Sequence, residues 1–251
     1  MSNALYFRGQ GKLKVAILDS NGAITGYTQV GNVSSLKLDP KVTWIEHRED
    51  MSGYRQLDLM IPNEQSLGVA FDLEVANAYN LQLALYGTTS ANSASTTFSG
   101  VAVNAVTAGL DYVFGKAGAT VTAVVDSSAS PKTLVAGTDY LVNTDGTITV
   151  LNTTGFTMPL LVSGTQNAYS SVGILNKPSQ EIAVLFEGLN TANSRKPVVI
   201  NIGRVMLNPA KSIEVLGKDL VKFQLDGQAL VSPNALSTGV LAGYGSIDLV
   251  A

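Results

Sequence analysis

The sequence predicts a mainly β fold: a β-sandwich or barrel with one flanking α-helix and an inserted small β-sandwich-like module. Three observations predict it. Apolar and polar residues alternate with period two along most of the chain, Gly, Asn and Asp mark turns at short intervals, and only one stretch has helical periodicity. A chain of 251 residues is one large β domain or two small ones, long enough to bury a core without covalent staples.

Leu13, Val15 and Ile17 alternate with Lys12, Lys14 and Ala16, and the strand ends at Asp19-Ser20-Asn21-Gly22, where Asn-Gly favours a tight hairpin. A second run, Val33 to Leu38, leads through Asp39-Pro40 into Lys41 to Ile45, with Pro40 marking a strand start or a bend. The most charged segment follows, Glu46-His47-Arg48-Glu49-Asp50, closed by Ser52-Gly53. Leu57, Leu59 and Ile61 then alternate with Asp58 and Met60, a turn is expected at Pro62-Asn63, and Val69, Phe71, Leu73 and Val75 alternate with Asp72 and Glu74. The pattern is a meander with one buried face and one wet, acidic face. Ala76 to Leu85 carries a broad apolar stripe and Gly87 stops it, which predicts the helix.

Composition changes at Thr88. Residues 88–100, TTSANSASTTFSG, read as a Ser/Thr/Asn linker, followed by short strands near 101–107, 120–125, 139–142, 147–150 and 158–162. The domain reading is therefore 1–88 and 177–251 for the main domain and 89–176 for the insertion. Glu181 to Glu187, Pro197 to Leu207 and Leu220 to Leu230 resume the first style, with a polar loop at 188–196 and a short helix or strand at Ser212 to Leu216.

Composition also narrows the chemistry. The absence of cysteine removes disulfides, thiolate nucleophiles and Cys-ligated zinc, and His47 is the only histidine. Charged residues are 14% of the chain, well below the ~25% of an average globular protein, so much of the surface is suited to becoming interface. A net charge of -3, with Lys and Arg scattered singly, argues against a partner gripped through its phosphates. The opening MSNALYFRGQ has no cationic start followed by an apolar run, so neither a signal peptide nor a membrane role is expected. No nucleophile elbow, P-loop, dinucleotide fingerprint or calcium loop is present. Asp58, Asp72 and Glu74 form the one carboxylate group that a hydrolase reading would use, yet exposed strand faces carry such residues routinely. The expectation is a non-enzyme, with no catalytic residue, metal or cofactor.

The ordered set of features resembles the tail tube (major tail) proteins of long, flexible-tailed bacteriophages. Residues 11–38 resemble that family's opening hairpin, and GVAFDLE (68–74) followed by NLQLALYG (80–87) is similar to its strand-then-helix unit. AGTDYLV (136–142) with GTITV (146–150) resembles its inserted part, and FEGLNTA (186–192) with KPVV (196–199) its return strand pair. The resemblance implies a structural virion protein of the tail, assembled in the host cytoplasm. Six copies form a ring, rings stack into a helical tube, and inner strands close one continuous barrel. Expected partners are further copies, the tape-measure protein housed in the lumen, and tail terminator and distal tail proteins; the genome passes through the lumen without specific binding. On that reading Asp58, Asp72 and Glu74 are candidates for the lumen wall, while the orientation of Lys12, Lys14 and Lys222 stays open. The long loop from Trp44 to Tyr54 is assigned to ring stacking, with Glu46, Arg48, Glu49, Asp50 and Arg55 as complementary charge and Trp44, Met51 and Tyr54 as apolar anchors. Both chain ends, 1–9 and 232–251, are expected to reach neighbouring copies, and the insertion to face outward.

Two other functions fit the composition less well. A carbohydrate-binding or adhesin β-sandwich would suit the Ser/Thr/Asn richness, but the only tryptophan lies in the charged segment. The inner tube of a contractile machine shares the tube physics, although a sheath would have to wrap over the insertion.

Overall fold

The computed structural model describes residues 6–104, 106–116, 118–218, 220–232 and 243–250, and in it the protein is mainly β with one helix. It comprises β1 (Gly9–Ile17), β2 (Thr28–Gln29), β3 (Val33–Arg48), β4 (Leu57–Leu73), α1 (Ala78–Leu85), β5 (Thr89–Asn92), β6 (Thr96–Val103), β7 (Leu110–Tyr112) and β8 (Ala119–Val125). These are followed by β9 (Tyr140–Val142), β10 (Ile148–Val150), β11 (Leu160–Gln166), β12 (Tyr169–Val172), β13 (Gln180–Asn190), β14 (Lys196–Leu207), β15 (Phe223–Ala229) and β16 (Gly245–Leu249). The chain divides into two compact units, Met1–Thr89 with Val172–Ala251, and Ser90–Ser171.

In the first unit one antiparallel sheet runs in the order β2-β1-β13-β14-β15-β4-β3. Strand β14 is shared lengthwise: Val205–Leu207 pairs β15, whereas Val198–Ile202 pairs β16. Alternation places Leu13, Val15, Phe71, Leu73, Ile182, Val184, Ile202, Phe223 and Leu225 on one face, where they form the core with Leu83 of α1. Asn77 caps the helix by accepting from the Asn80 N–H at 2.8 Å. Tyr79 Oη donates to the Val15 carbonyl (2.8 Å), and Asn80 Nδ2 donates to the carbonyls of Val30 (2.8 Å) and Val75 (2.7 Å), which seats the helix on the sheet. The helix stops in the left-handed conformation of Tyr86 (φ 49°), one residue before Gly87. Gly87 answers a different demand: a Cβ there would collide with the Gly173 carbonyl.

Several sequence expectations change. Strand β3 runs straight through Pro40, and β4 runs through Pro62-Asn63, where a bulge between Thr43 and Trp44 replaces the expected turn. From Leu67 to the tip each strand of this ribbon pairs on one side only, the setting in which proline's missing N–H is tolerated. The polar loop between β13 and β14 shrinks to residues 191–195, and Ser212–Leu216 is neither helix nor strand. At the chain ends, Arg8 N–H and the Tyr6 carbonyl bond the Asn190 side chain (2.9 Å each), and β16 pairs with β14 of its own chain. The remainder of the expectation for the ends, residues 1–5, 233–242 and 251, lies outside the described residues.

The second unit packs two three-stranded sheets, β7-β10-β9 and β6-β11-β8, around Val103, Val124, Tyr140, Ile148, Val150, Leu160 and Val162. The segment read as a linker is structured: Thr89–Asn92 pairs with β12, and Thr96–Val103 pairs with β11. Threonine is a good strand former and the partners supply the apolar face, so a local composition reading misses it. Asp126 is fully buried beside β8, and its carboxylate accepts from the N–H groups of Lys132 (2.7 Å) and Thr157 (3.1 Å) and from Ser128 Oγ (2.7 Å). Those bonds, the Lys132 N–H foremost, hold its pKa down to about 2.

Candidate assembly surface

Among the described residues, the longest strand segment of the first unit that packs on nothing else is the outer half of the β3–β4 hairpin. From Asp39 to Arg48 and from Leu57 to Gln65 every residue is exposed, because no other strand or helix among the described residues covers this ribbon. Residues opposite one another in the register share a face. The pairs Ile45–Ile61 and His47–Leu59 therefore put Ile45, Ile61 and Leu59 on one side, and Trp44–Pro62 and Glu46–Met60 put Trp44, Pro62 and Met60 on the other. Val42, Trp44, Ile45, Leu57, Leu59, Met60 and Ile61 are each 42–55% exposed. Leu57, Leu59 and Ile61 were expected on a buried face; they are exposed because no element among the described residues packs over the arm. The sequence did hold a signal for this: LDLMIP (57–62) is apolar on both faces, unlike a strand with one wet side.

The tip of the arm is shorter than the segment assigned to stacking. Trp44, Glu46 and Arg48 belong to β3, and the turn proper covers residues 49–56. Its charges are engaged within the arm. Glu49 accepts from Ser52 Oγ and from the N–H groups of Met51 (2.7 Å), Ser52 (2.8 Å) and Gln56 (3.3 Å). The Ser52 bonds lead in holding its pKa down to about 2. Arg48 pairs with Glu46 (3.2 Å), Arg55 with Asp50 (3.1 Å), and His47 Nδ1 lies 2.7 Å from Asp58. The charged residues thus shape and hold the turn, while Met51 (96% exposed) and Tyr54 (82%) stand free at its end.

The three candidate lumen carboxylates do not form one group. Asp58 sits at the arm's second bulge, fourteen positions along β4 from Asp72, or roughly 46 Å at ~3.3 Å per residue. Asp72 and Glu74 are neighbours on the face opposite the core, where Ser35 Oγ donates to Asp72 (2.7 Å) and Glu74 bonds Asn32 and Lys222 (3.1 Å to Lys222). Lys222 leads in lowering the Glu74 pKa. The same face carries Lys37 and Lys41, with Lys41 3.1 Å from Asp39, so it is a row of mixed charge and not the acidic wall the sequence implied. Lys14 likewise pairs with Glu187 (2.6 Å) on the side away from buried Leu13 and Val15.

Where the arm leaves the sheet, a groove of about 480 Å³ opens between it and β16, lined by Leu38, Val42, Leu67, Ile202, Tyr244 and Ile247 among others. Tyr244 Oη closes one end by donating to the Gln65 carbonyl at 2.6 Å. The lining is predominantly apolar and offers little to orient a small polar ligand. Among the described residues no group of three or more His, Asp or Glu could hold a metal ion, and no helix is long and apolar enough to cross a membrane.

No curated protein matches the chain. Residues 6–248 match a family described as "Protein of unknown function UCP028589", and the chain belongs to that family.

Proposed function

We propose that this protein is a structural subunit that assembles with its own copies into rings stacked as a tube, of the kind that forms the tail conduit of long-tailed bacteriophages. The supporting observation is the arm. A free-standing two-stranded ribbon is marginal in water, and one with apolar residues on both faces is an aggregation hazard unless it is covered. The large apolar residues of the arm and its tip expose on the order of 1,000 Å², against the ~800 Å² that each partner contributes to a standard interface. The low charge of the whole chain agrees with a surface given over to contacts.

On this reading Met51 and Tyr54 at the arm's tip are the anchors between rings. The mixed-charge face of β3, β4 and β15 suits a lumen wall that neither grips nor strongly repels a passing polyanion, since Lys41 and Lys222 on it are paired with Asp39 and Glu74. The tape-measure, terminator and distal tail proteins are the partners this role requires, and the tail of the virion its location.

Negative-stain microscopy and sedimentation of the purified chain over a concentration series test the proposal. Hollow rings or tubes are the expected result. Monomers at every concentration overturn it, and saturable glycan binding by such a monomer would favour the carbohydrate-binding function instead.

A further inference from the structure

The arm's two apolar faces differ in what lies beside them. The face with Trp44, Pro62 and Met60 is continuous with the core side of the sheet: Leu36 and Leu38 pack on the core, Val42 lines the groove beside β16, and Trp44 follows two residues on. Across that groove Ile247, opposite Ile200 in the register, is 54% exposed. The other face carries the compact strip Ile45, Ile61 and Leu59, bounded by Thr43 and Glu64 towards the sheet and by His47 and Asp58 towards the tip. A small apolar centre with a polar rim is the anatomy of an interface core.

We infer that these two surfaces are partners in successive copies: the Ile45–Leu59–Ile61 strip of one chain seats in the β16 groove of the next, over Val42 and Ile247. The inference rests on the assembly reading and names which surface meets which. Two observations support a second copy as the occupant. The strip and the groove match in chemistry within one chain: Ile45, Leu59 and Ile61 are 48–55% exposed on the strip, and Val42 and Ile247 are 44% and 54% exposed at the groove. The strip and the groove are also different surfaces on opposite sides of one ribbon, so a copy that gives its strip still has its groove open. Such a contact is head-to-tail, and repeats into a closed ring or a filament instead of stopping at a two-fold dimer. In it the strip face of the arm lies in the groove of one neighbour and its groove side receives the strip of another, so both of its apolar faces gain a cover.

The chain has no cysteine, so single thiols report the contact cleanly. Leu59→Cys and Ile247→Cys, both at exposed positions, are made as separate full-length variants, mixed under assembling conditions and oxidised. A cross-linked dimer in the mixture, and none in either variant alone, is the expected result. A dimer from Leu59→Cys alone places strip against strip and overturns the inference. Tubes without any cross-link overturn it while leaving the assembly reading intact; a chain that never assembles, by sedimentation of the unmodified protein, overturns both. As a second readout, Ile247→Asp raises the concentration at which assembly begins by about tenfold or more, and an unchanged onset counts against the groove.

Discussion

Replacing Ile45 and Ile61 together by threonine isolates what the arm contributes to association. The two side chains face one another across the ribbon and are 55% and 48% exposed. Threonine keeps the β-branch and the strand preference, so the ribbon itself is little disturbed. Burying a whole isoleucine side chain is worth about 1.5–3 kcal/mol, so covering the exposed half of each in an assembly contributes about 0.75–1.5 kcal/mol, or about 1.5–3 kcal/mol for the pair. Threonine removes most of that and adds a hydroxyl that must find a partner or be buried at a cost. The contact then weakens by roughly 10- to 150-fold. The assay is the onset concentration of assembly, by light scattering and sedimentation velocity, alongside thermal melts of the monomer. Onset should rise by that factor while monomer stability stays within about 0.5 kcal/mol. An onset within about threefold of the unsubstituted chain would refute the claim that this face is covered, and a large loss of monomer stability would show that the residues belong to a core.

Other consequences concern the tip, the second unit and salt. Glu49→Ala removes the acceptor for three N–H groups of the turn, so the amides of Met51, Ser52 and Gln56 should exchange faster while the core amides of β4 do not change; equal protection would show that the turn is held otherwise. The Asp126 carboxyl titrates near 3.9 when unfolded and at about 2 when folded, so its stabilisation of Ser90–Ser171 is complete above about pH 4 and lost as the pH falls towards 2. Hydrogen exchange around β8 should follow that slope, and Asp126→Asn should lower protection at neutral pH and flatten the slope. Joining Thr89 to Val172 through a short linker should leave the first unit folded, because the Gly173 N–H donates to the Thr88 carbonyl (2.9 Å) and Asn176 bonds Thr88 twice, holding the two ends together within that unit. Loss of its cooperative melt would contradict this. Since the tip's charges are satisfied internally, assembly onset should change by less than about threefold between roughly 0.1 and 0.5 M salt, whereas stacking through complementary charge would weaken steeply.

The fold class and the single helix were legible because each rests on local periodicity. Leu13-Val15-Ile17 and Val69-Phe71-Leu73 alternate cleanly and prove to be core strands, and the helix lies within one turn of its expected start. What local reading could not supply was partner-dependent. Thr96–Val103 is a strand because β11 lies beside it, and Pro62-Asn63 is a bulge instead of a turn because β3 continues past it. The candidate site divides in the same way. Trp44, Met51 and Tyr54 are exposed on the arm or its turn, but Glu46, Arg48, Glu49, Asp50 and Arg55 are committed to one another and to the turn. Proximity in sequence could not reveal that, because salt bridges and side-chain bonds within a turn depend on its backbone path. Grouping Asp58 with Asp72 failed for the opposite reason: a meander was assumed where a single long strand keeps them far apart.

The arm's internal bonds also bear on how so thin an element would serve as the contact surface proposed for it. A ribbon that fluctuated freely would lose its conformational freedom on every association, at about 0.5–1.5 kcal/mol for each side chain immobilised, and could cancel the gain from the isoleucine pair. Here the Glu49 clamp orders the turn, the Asp50–Arg55 and His47–Asp58 pairs tie its two sides, and the ladder from Arg48–Leu57 to Val33–Leu73 anchors it in the core of the sheet. None of these polar contacts need survive transfer to a partner, and none is worth much individually at full exposure. Their effect is to hold Ile45, Leu59 and Ile61 in one plane before a partner arrives, so the apolar area they expose is spent on affinity and not on ordering. In the proposed assembly the charge-rich sequence of the tip and the apolar sequence of the arm therefore do separate jobs, the first in shaping the surface and the second in supplying its binding energy.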